Sequence, residues 1–321
     1  MYPNQAFWKA EPVPGSTNTV LEDEHLFPGP LTFDRSPIPK ASHPPRRKNA
    51  IVTAVWGSRY ASLALMLGQS IKMHNDLDQI NAELVILTLE REEGWTDGLT
   101  SENMTVLEEQ GGWRIRSRPR LEVPGVDMDK IQPHRRLNLN KLQMFGWSEY
   151  ERIMFIDADC FVKGSIEEIF KLPPEIEFAA AADGWPSVEV DPRFNSGFMF
   201  FTPSKVLLED TISRLADPQY HDPTEGDQQF LQNYWKFRDY RLPSKFNLNL
   251  THFVWRRAQL WDRVWPDARV IHFTERKPHE RWWPGGWCQN PVANISNIGP
   301  DECAHVEVLQ VVQATSMVIK T

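Results

Sequence analysis

The sequence lacks long hydrophobic runs and an excess of basic residues. No segment approaches the roughly 20 consecutive apolar residues of a membrane helix, and the start Met1-Tyr2-Pro3-Asn4-Gln5 has neither a basic nor an apolar run. We therefore expect a chain with no membrane span and no secretory signal. Its 35 Lys and Arg against 43 Asp and Glu give a net charge of −8, the opposite of the balance that nucleic-acid binding favours.

Cysteine is also scarce. The chain has three, Cys160, Cys288 and Cys303, and no two form a CxxC pair. This pattern indicates neither a zinc ribbon nor a disulfide framework. A reducing compartment fits best, and we expect a cytoplasmic protein. Nothing in the sequence decides between a monomer and a homodimer.

Several common nucleotide and hydrolase motifs are absent. The turn after the first apolar segment, Trp56-Gly57-Ser58-Arg59-Tyr60, is no GxGxxG, and neither GxxxxGK[ST] nor GxSxG occurs. The sequence thus disfavours a dinucleotide-binding Rossmann enzyme, a P-loop protein and an α/β-hydrolase. A nucleotidyltransferase or pyrophosphorylase would need a more basic, glycine-rich loop at this position.

Apolar, strand-like segments alternate with amphipathic ones along the chain. Residues 49–55 are β-branched and apolar, and 59–74 carry apolar residues at three- and four-residue spacing. Further strands are predicted at 83–89, 113–117, 152–156, 177–183, 194–202 and 268–273, and further helices at 101–110, 139–147, 204–215 and 226–237. This alternation predicts an α/β fold, a mostly parallel central sheet flanked by helices in a single Rossmann-like domain.

The two ends of the chain differ from this pattern. Residues 1–48 hold nine of the 25 prolines and are predicted to form a Pro-rich N-terminal arm. We place the domain at 49–284 and a C-terminal extension that packs on it at 285–321. Six of the 13 tryptophans lie between Trp255 and Trp287. Packing explains them most simply, and stacking on sugar rings is the alternative.

An acid pair follows the apolar segment 153–156. In Asp157-Ala158-Asp159, two carboxylates flank one small residue at the end of a buried strand. They can offer oxygen ligands to a divalent cation, and Ala158 leaves room for a ligand to approach. The same spacing occurs in Asp76-Leu77-Asp78 and Asp127-Met128-Asp129, but in polar, loop-like stretches. A capped strand end remains the alternative at 157–159.

A nitrogen donor could complete this site. His272 ends another apolar strand and is followed by Arg276 and Lys277. Two carboxylates and one imidazole suit Mn²⁺ or Mg²⁺, and the imidazole favours Mn²⁺. A diphosphate would need the nearby cations as well. A histidine satisfied within the core is the competing interpretation.

Five ordered blocks carry a family resemblance. They are 51–74 (IVTAVWGSRYASLALMLGQSIKMH), 137–170 (LNLNKLQMFGWSEYERIMFIDADCFVKGSIEEIF), 194–197 (FNSG), 226–228 (GDQ) and 272–278 (HFTERKP). In order and spacing they resemble the family 8 retaining glycosyltransferases, which include glycogenin and the galactinol synthases. The resemblance spans roughly 49–279.

The resemblance implies a GT-A fold, a UDP-sugar donor and Mn²⁺, with Mg²⁺ as a substitute. It implies metal ligation by Asp157, Asp159 and His272. It implies catalytic positions at Asp227, Gln228 and Asp183. The implied donor-binding positions are Thr53, Tyr60, Lys141, Asp157, Ala158, Asn195, Ser196 and Lys277.

The expected activity is transfer of a hexose, glucose or galactose, to a separate hydroxyl acceptor such as a small molecule, a glycan or an inositol-like compound. The self-modified tyrosine of glycogenin falls in a stretch that here, at 247–255, has no Tyr, so self-glucosylation there is not expected. Glu275 departs from the family pattern near the diphosphate. The alternative function is a UDP-sugar-binding scaffold with little turnover.

Overall fold

In a computed structural model, the described residues are 49–90, 98–122, 127, 130–131, 135–183, 193–222, 224–251 and 264–274. All of them belong to one unit, Arg46–Thr321. The predicted N-terminal arm and C-terminal extension lie outside the described residues, so the domain limits remain predictions. Of the helices in the described part of the chain, none has the length and apolar character to cross a membrane.

Two sheets organise the structure. The strands are β1 Asn49–Ala54, β2 Ala82–Leu89, β3 Arg114–Arg118, β4 Ile153–Ile156, β5 Cys160–Val162, β6 Phe178–Ala182, β7 Phe194–Phe201, β8 Tyr240–Leu242, β9 Leu248–Asn249 and β10 Val270–His272. Seven of them form the main sheet in the order β3-β2-β1-β4-β7-β6-β8, and three form a small sheet in the order β5-β10-β9. In the main sheet only β7 runs antiparallel to its neighbours. The predicted α/β fold with a mostly parallel sheet is confirmed.

The main sheet is buried on both faces. Successive β1 residues, Ile51 and Val52, belong to different apolar clusters because neighbouring side chains of a strand point to opposite faces. One cluster includes Leu65 of a helix, and the other includes Phe145 and Phe230. Helices on both faces explain why the strands read as continuous apolar runs.

Four α-helices lie in the described residues: α1 Ala61–His74, α2 Ser101–Glu109, α3 Lys205–Arg214 and α4 Asp227–Tyr234. The hydroxyl of Thr100 accepts a hydrogen bond from the Asn103 backbone N–H, and that of Ser204 accepts one from Leu207. These N-caps satisfy amides that have no partner within the helix. They explain why α2 and α3 begin where they do.

The predicted helix at 139–147 has a different form. It is a 3₁₀ helix, Asn138–Gly146. The side chain of Asn140 accepts a hydrogen bond from the Leu121 N–H at 2.6 Å and donates one to the Leu137 carbonyl at 2.8 Å, and such bonds compete with a regular helix. The sequence analysis also missed β5, β8 and β9, which have at most three residues each and are too short to show a periodic pattern.

The small sheet joins distant parts of the chain. β10 runs antiparallel to β5, with His272 opposite Cys160. One residue further, the Phe273 N–H donates to the Asp159 carbonyl at 3.0 Å. The backbone ladder therefore brings the end of β10 beside the acid pair that follows β4.

Close packing of α1 against Trp113 leads to a stability prediction. A Cβ on Gly68 would lie 2.5 Å from Trp113 Nε1, whose N–H donates to the Ala64 carbonyl at 2.9 Å. We expect Gly68→Ala to lower the free energy of unfolding by about 1–3 kcal/mol through overpacking, although Ala favours a helix by about 1 kcal/mol. Chemical denaturation measures the change. The loss should shrink in a Trp113→Phe background, and a stabilised Gly68→Ala protein would contradict this account.

Candidate active site

The acid pair lies in a turn held by backbone hydrogen bonds. The Asp157 N–H donates to the Gly197 carbonyl of β7 at 2.8 Å, and the Cys160 N–H donates to the Asp157 carbonyl at 3.0 Å. Ala158, between the acids, is buried. The turn thus links β4 to β5 and holds both aspartates at the carboxyl end of a central strand, the edge at which α/β sheets bind ligands.

His272 reaches the two acids from β10. Its Nε2 lies 3.3 Å from Asp159 Oδ1 and 3.8 Å from Asp157 Oδ2. The three predicted metal ligands are therefore together. The thiol of Cys160 is also close. One ligand atom from each of Asp159, Cys160 and His272 lies within 4.8 Å of the other two. A thiolate prefers softer ions than Mn²⁺ or Mg²⁺, so the carboxylate–imidazole set matches the expected cation better.

Gly197 leaves the space in which these ligands meet. A Cβ at this position would lie 2.3 Å from His272 Cε1, 2.7 Å from Asn195 Oδ1 and 2.8 Å from Asp157 Oδ2. Real Cβ atoms do not approach other atoms so closely. Three polar side chains thus converge over one glycine, and this cradle fits a bound cation.

Lys141 is a buried counter-ion of the site. Its Nζ lies 2.8 Å from Asp157 Oδ1 and 3.3 Å from Asp227 Oδ2. Burial alone would lower the pKa of Lys141, but the two carboxylates raise it well above its ordinary value. Burial raises the pKa of Asp157, and the charge of Asp159 adds to this against the opposing effect of Lys141. A further cation at Asp157 would relieve this unfavourable charge.

A closed set of hydrogen bonds joins four of the predicted catalytic and donor-binding residues. Asn195 Nδ2 donates to Asp183 Oδ1 and to Gln228 Oε1, both at 3.0 Å. Gln228 Nε2 donates to Asp183 Oδ2 at 3.2 Å, and the Ser196 N–H donates to Gln228 Oε1 at 3.2 Å. Asp227 and Gln228 are the first residues of α4, where the helix dipole favours the negative charge of Asp227.

Apart from Asp183, these residues border one cavity of about 640 Å³. Among the predicted positions, its lining includes Lys141, Asp157, Asp159, Asn195, Ser196, Asp227, Gln228 and His272. The charged groups in the lining are five carboxylates, Asp157, Asp159, Asp222, Glu225 and Asp227, and three cations, Arg135, Lys141 and Arg193. An anionic diphosphate would be repelled by this excess of carboxylates unless a bound cation offset it. The residues present therefore fit a divalent ion.

Three predicted donor-binding residues of the described part of the chain, Thr53, Tyr60 and Ala158, are not part of this lining, and neither is the predicted catalytic residue Asp183. Thr53 is fully buried in β1, and its hydroxyl oxygen has no hydrogen-bond partner among the described residues. Tyr60 ends the 3₁₀ helix Ser58–Tyr60 that follows β1 and is 37% exposed. Lys277 lies outside the described residues. Their predicted roles stay predictions.

The sequence analysis missed Asn247 as a site residue. Its Oδ1 lies 3.1 Å from His272 Nδ1, and its Nδ2 donates to Asn195 Oδ1 at 3.0 Å. The one signal in the sequence is that Asn247 and Asn249 alternate with the buried residues Phe246, Leu248 and Leu250. An asparagine in such an apolar stretch needs partners, but the pattern does not say which.

The fold and this site define a GT-A glycosyltransferase architecture. The galactosyltransferase LgtC, solved with donor and acceptor sugar analogues, superposes with a TM-score of 0.52 at 15% identity over 72% of this chain and 90% of that one. The glycosyltransferase GlyE of Streptococcus pneumoniae TIGR4 superposes with a TM-score of 0.52 at 17% identity over 74% of this chain and 57% of that one. At such identities the likeness shows the fold alone.

The sequence profile of Glycosyl transferase family 8 matches residues 59–282, and the chain belongs to this family. It is 26% identical over 258 residues to the Arabidopsis thaliana putative UDP-glucuronate:xylan alpha-glucuronosyltransferase 5, covering 73% of this chain and 41% of that protein. It is 28% identical over 242 residues to human glycogenin-2, covering 70% and 42%. The chain thus spans less than half the length of both relatives.

Lys141 offers a test of the charge balance. In Lys141→Met, Asp157 and Asp227 lose their buried cation, and we expect about 3–5 kcal/mol less stability near pH 7. The pKa of Asp157, already raised, would rise further, so the folded state would bind a proton more readily than the unfolded state. The deficit should therefore shrink as the pH falls, which denaturation at several pH values measures.

The control for this variant is Lys245→Met. Lys245 forms a more exposed ion pair with Glu168 at 2.8 Å, and its loss should change stability by no more than about 1 kcal/mol. If the stability loss of Lys141→Met equals that of the control, or grows at acidic pH, Lys141 is not a buried counter-ion of the two aspartates.

Gly197→Ala tests the ligand cradle. The added methyl group would displace Asp157 or His272, and misplacement of ligands by about 1 Å can reduce activity about 100-fold. We expect at least that loss in UDP release, together with weaker Mn²⁺ binding measured by calorimetry. Gly164→Ala is the matched control, because its Cβ would meet the side chain of Arg269, 2.9 Å away at Nη1, and none of the proposed metal ligands. Equal effects of the two variants would contradict the cradle.

Proposed function

We propose that the chain transfers a hexose, glucose or galactose, from its UDP-sugar to a hydroxyl group of a separate acceptor, with retention of the anomeric configuration. Mn²⁺ is the proposed cofactor, and Mg²⁺ a substitute. The observation that carries the proposal is the convergence of Asp157, Asp159 and His272 on a cavity that also contains Asp227 and Gln228.

The first chemical requirement is a stable leaving group. When bound by Asp157, Asp159 and His272, the cation would supply positive charge for the diphosphate that departs from the sugar. Lys141 opposes the rise in the pKa of Asp157 that burial causes and holds this carboxylate in place through its 2.8 Å contact. Lys277 is proposed to add a positive charge to the diphosphate. Charges arranged in advance of the reaction need little reorganisation as the bond breaks.

The second requirement is support for the sugar. The Asp183, Asn195 and Gln228 side chains already hold one another in place, so they can exchange bonds with sugar hydroxyls without large movement. Asp227 brings negative charge to the side where an oxocarbenium-like centre would form. Gln228 is a poor nucleophile and Asp227 is paired with Lys141. We therefore favour attack by the acceptor on the face that the UDP leaves over a covalent intermediate.

A hexuronate donor is the second candidate. Arg135 and Arg193 line the cavity, and arginine is well suited to bind a carboxylate. One of the relatives named above carries UDP-glucuronate in its name. However, Arg135 is paired with Glu225, and carboxylates outnumber cations in the lining. A neutral hexose therefore meets less repulsion, and it remains our preferred donor.

The acceptor is proposed to be a separate small molecule, glycan or inositol-like compound, because 247–255 contains no tyrosine. A scaffold that binds UDP-sugar with little turnover would use the same metal ligands, so the feature that favours turnover is the presence of Asp227 and Gln228 in the same cavity lining. We also propose a cytoplasmic setting, for which the support is the scarcity of cysteine in the sequence.

The donor and the metal role can be tested together. We expect the protein with Mn²⁺ to release UDP from UDP-glucose or UDP-galactose faster than from UDP-glucuronate, in the presence of a mixed acceptor pool analysed by mass spectrometry. Asp159→Asn should lower this rate at least about 100-fold, because it removes a charged ligand from the site.

Asp78→Asn is the control, since Asp78 belongs to another Asp-x-Asp triplet and is exposed. Its rate should equal that of the unchanged protein. Preferred release from UDP-glucuronate would support the second candidate. An unaffected Asp159→Asn protein, or no release from any donor, would contradict the proposed function.

A further inference from the structure

We propose that Asn247 is a positioning residue that keeps His272 protonated at Nδ1 and so presents the lone pair of Nε2 to the metal. The inference rests on the metal site of the proposed function. It follows from the directions of the hydrogen bonds, which run from one backbone amide to the imidazole ring.

The starting point is the Gly197 N–H, which lies 2.9 Å from Asn195 Oδ1. A backbone amide can only donate, so the atom that it meets must be the oxygen of the Asn195 side chain. The other end of the Asn195 side chain supports this orientation, because its Nδ2 faces two acceptors, a carboxylate oxygen of Asp183 and Oε1 of Gln228. The Ser196 N–H in turn requires an oxygen at that position of Gln228.

The orientation of Asn195 decides that of Asn247. Asn195 Oδ1 accepts, so the Asn247 atom 3.0 Å from it must be the NH₂ group. The carbonyl oxygen of Asn247 then faces His272 Nδ1 at 3.1 Å. This oxygen can only accept, and the ring nitrogen must therefore carry the hydrogen.

The consequence appears at the other ring nitrogen. In a neutral imidazole with Nδ1–H, Nε2 has a free lone pair, and Nε2 is the atom that faces Asp159 and Asp157. Lone pairs from three side chains then point into one space, which a cation between them satisfies. Metal-binding histidines are oriented in this way by the partner of their second nitrogen.

Burial makes the arrangement dependent on Asn247. Asn247 is 2% exposed and His272 is 4% exposed, so water has little access to replace the asparagine oxygen. The same hydrogen bonds connect His272, through Asn247 and Asn195, to Asp183 and Gln228. A side chain outside the cavity lining thus links the two parts of the proposed site.

The test compares two variants of similar size. Asn247→Leu removes the acceptor for Nδ1–H, whereas Asn247→Asp keeps an acceptor and loses the donor to Asn195. We expect Asn247→Leu to bind Mn²⁺ about 10–100-fold more weakly in calorimetry without any donor. Asn247→Asp should bind Mn²⁺ nearly as tightly as the unchanged protein.

A buried asparagine elsewhere controls for loss of stability. Asn75 follows α1, donates to the Ile71 carbonyl at 3.0 Å and accepts from the Ile166 N–H at 2.8 Å. Asn75→Leu should destabilise the fold and leave Mn²⁺ affinity unchanged. If Asn247→Leu binds Mn²⁺ as tightly as the unchanged protein, or Asn247→Asp binds as weakly as Asn247→Leu, the inference is overturned.

Imidazole ¹⁵N shifts test the tautomer without any Asn247 variant. In the unchanged protein, with the His272 signal assigned through His272→Gln, we expect a proton on Nδ1 whether or not Nε2 also carries one. An unprotonated Nδ1 would overturn the inference. Neither measurement needs sugar transfer. A protein that binds Mn²⁺ through His272 but transfers no sugar would contradict the proposed function, and the two measurements would still decide whether Asn247 positions His272.

Discussion

The structure depends on keeping several carboxylates close together in a partly buried space. Asp157, Asp159 and Asp227 would repel one another at the ends of β4 and α4, and burial makes such repulsion stronger. Lys141 offsets part of it from within the protein, through contacts with Asp157 and Asp227. What remains is negative charge that an added cation can balance. A site of this kind would repel an anionic substrate unless a cation balanced its charge.

The sheet topology determines which strand supplies each part of the site. β4, in the middle of the main sheet, ends at the acid pair, and neighbouring β7 supplies Gly197 and Asn195. The small sheet adds His272 by pairing β10 with β5. Because these positions are held by backbone hydrogen bonds on rigid strands, the side chains can be placed with the accuracy that metal binding and sugar transfer require.

The polar side chains around the metal ligands form a continuous set with defined directions. Gly197 determines the orientation of Asn195, and Asn195 determines that of Asn247. Such buried networks are stable only when each donor meets an acceptor. The same set holds Gln228 and Asp183, and the proposed metal and sugar sites are thus parts of one hydrogen-bonded structure.

The sequence by itself determined the alternation of strands and helices, the family, and the importance of Asp157-Ala158-Asp159, because apolar periodicity and contiguous motifs are local properties of the chain. It could not show that Asn140 and its neighbours form a 3₁₀ helix, that Lys141 pairs with Asp157, or that Asn247 contacts His272. The first fact depends on a hydrogen bond to Leu121, and the second on the approach of Lys141 to the ends of β4 and α4. The third arises only when β9 and β10 pair. Two strands of that small sheet were too short to be predicted, and tertiary structure alone decided which asparagine faces the imidazole.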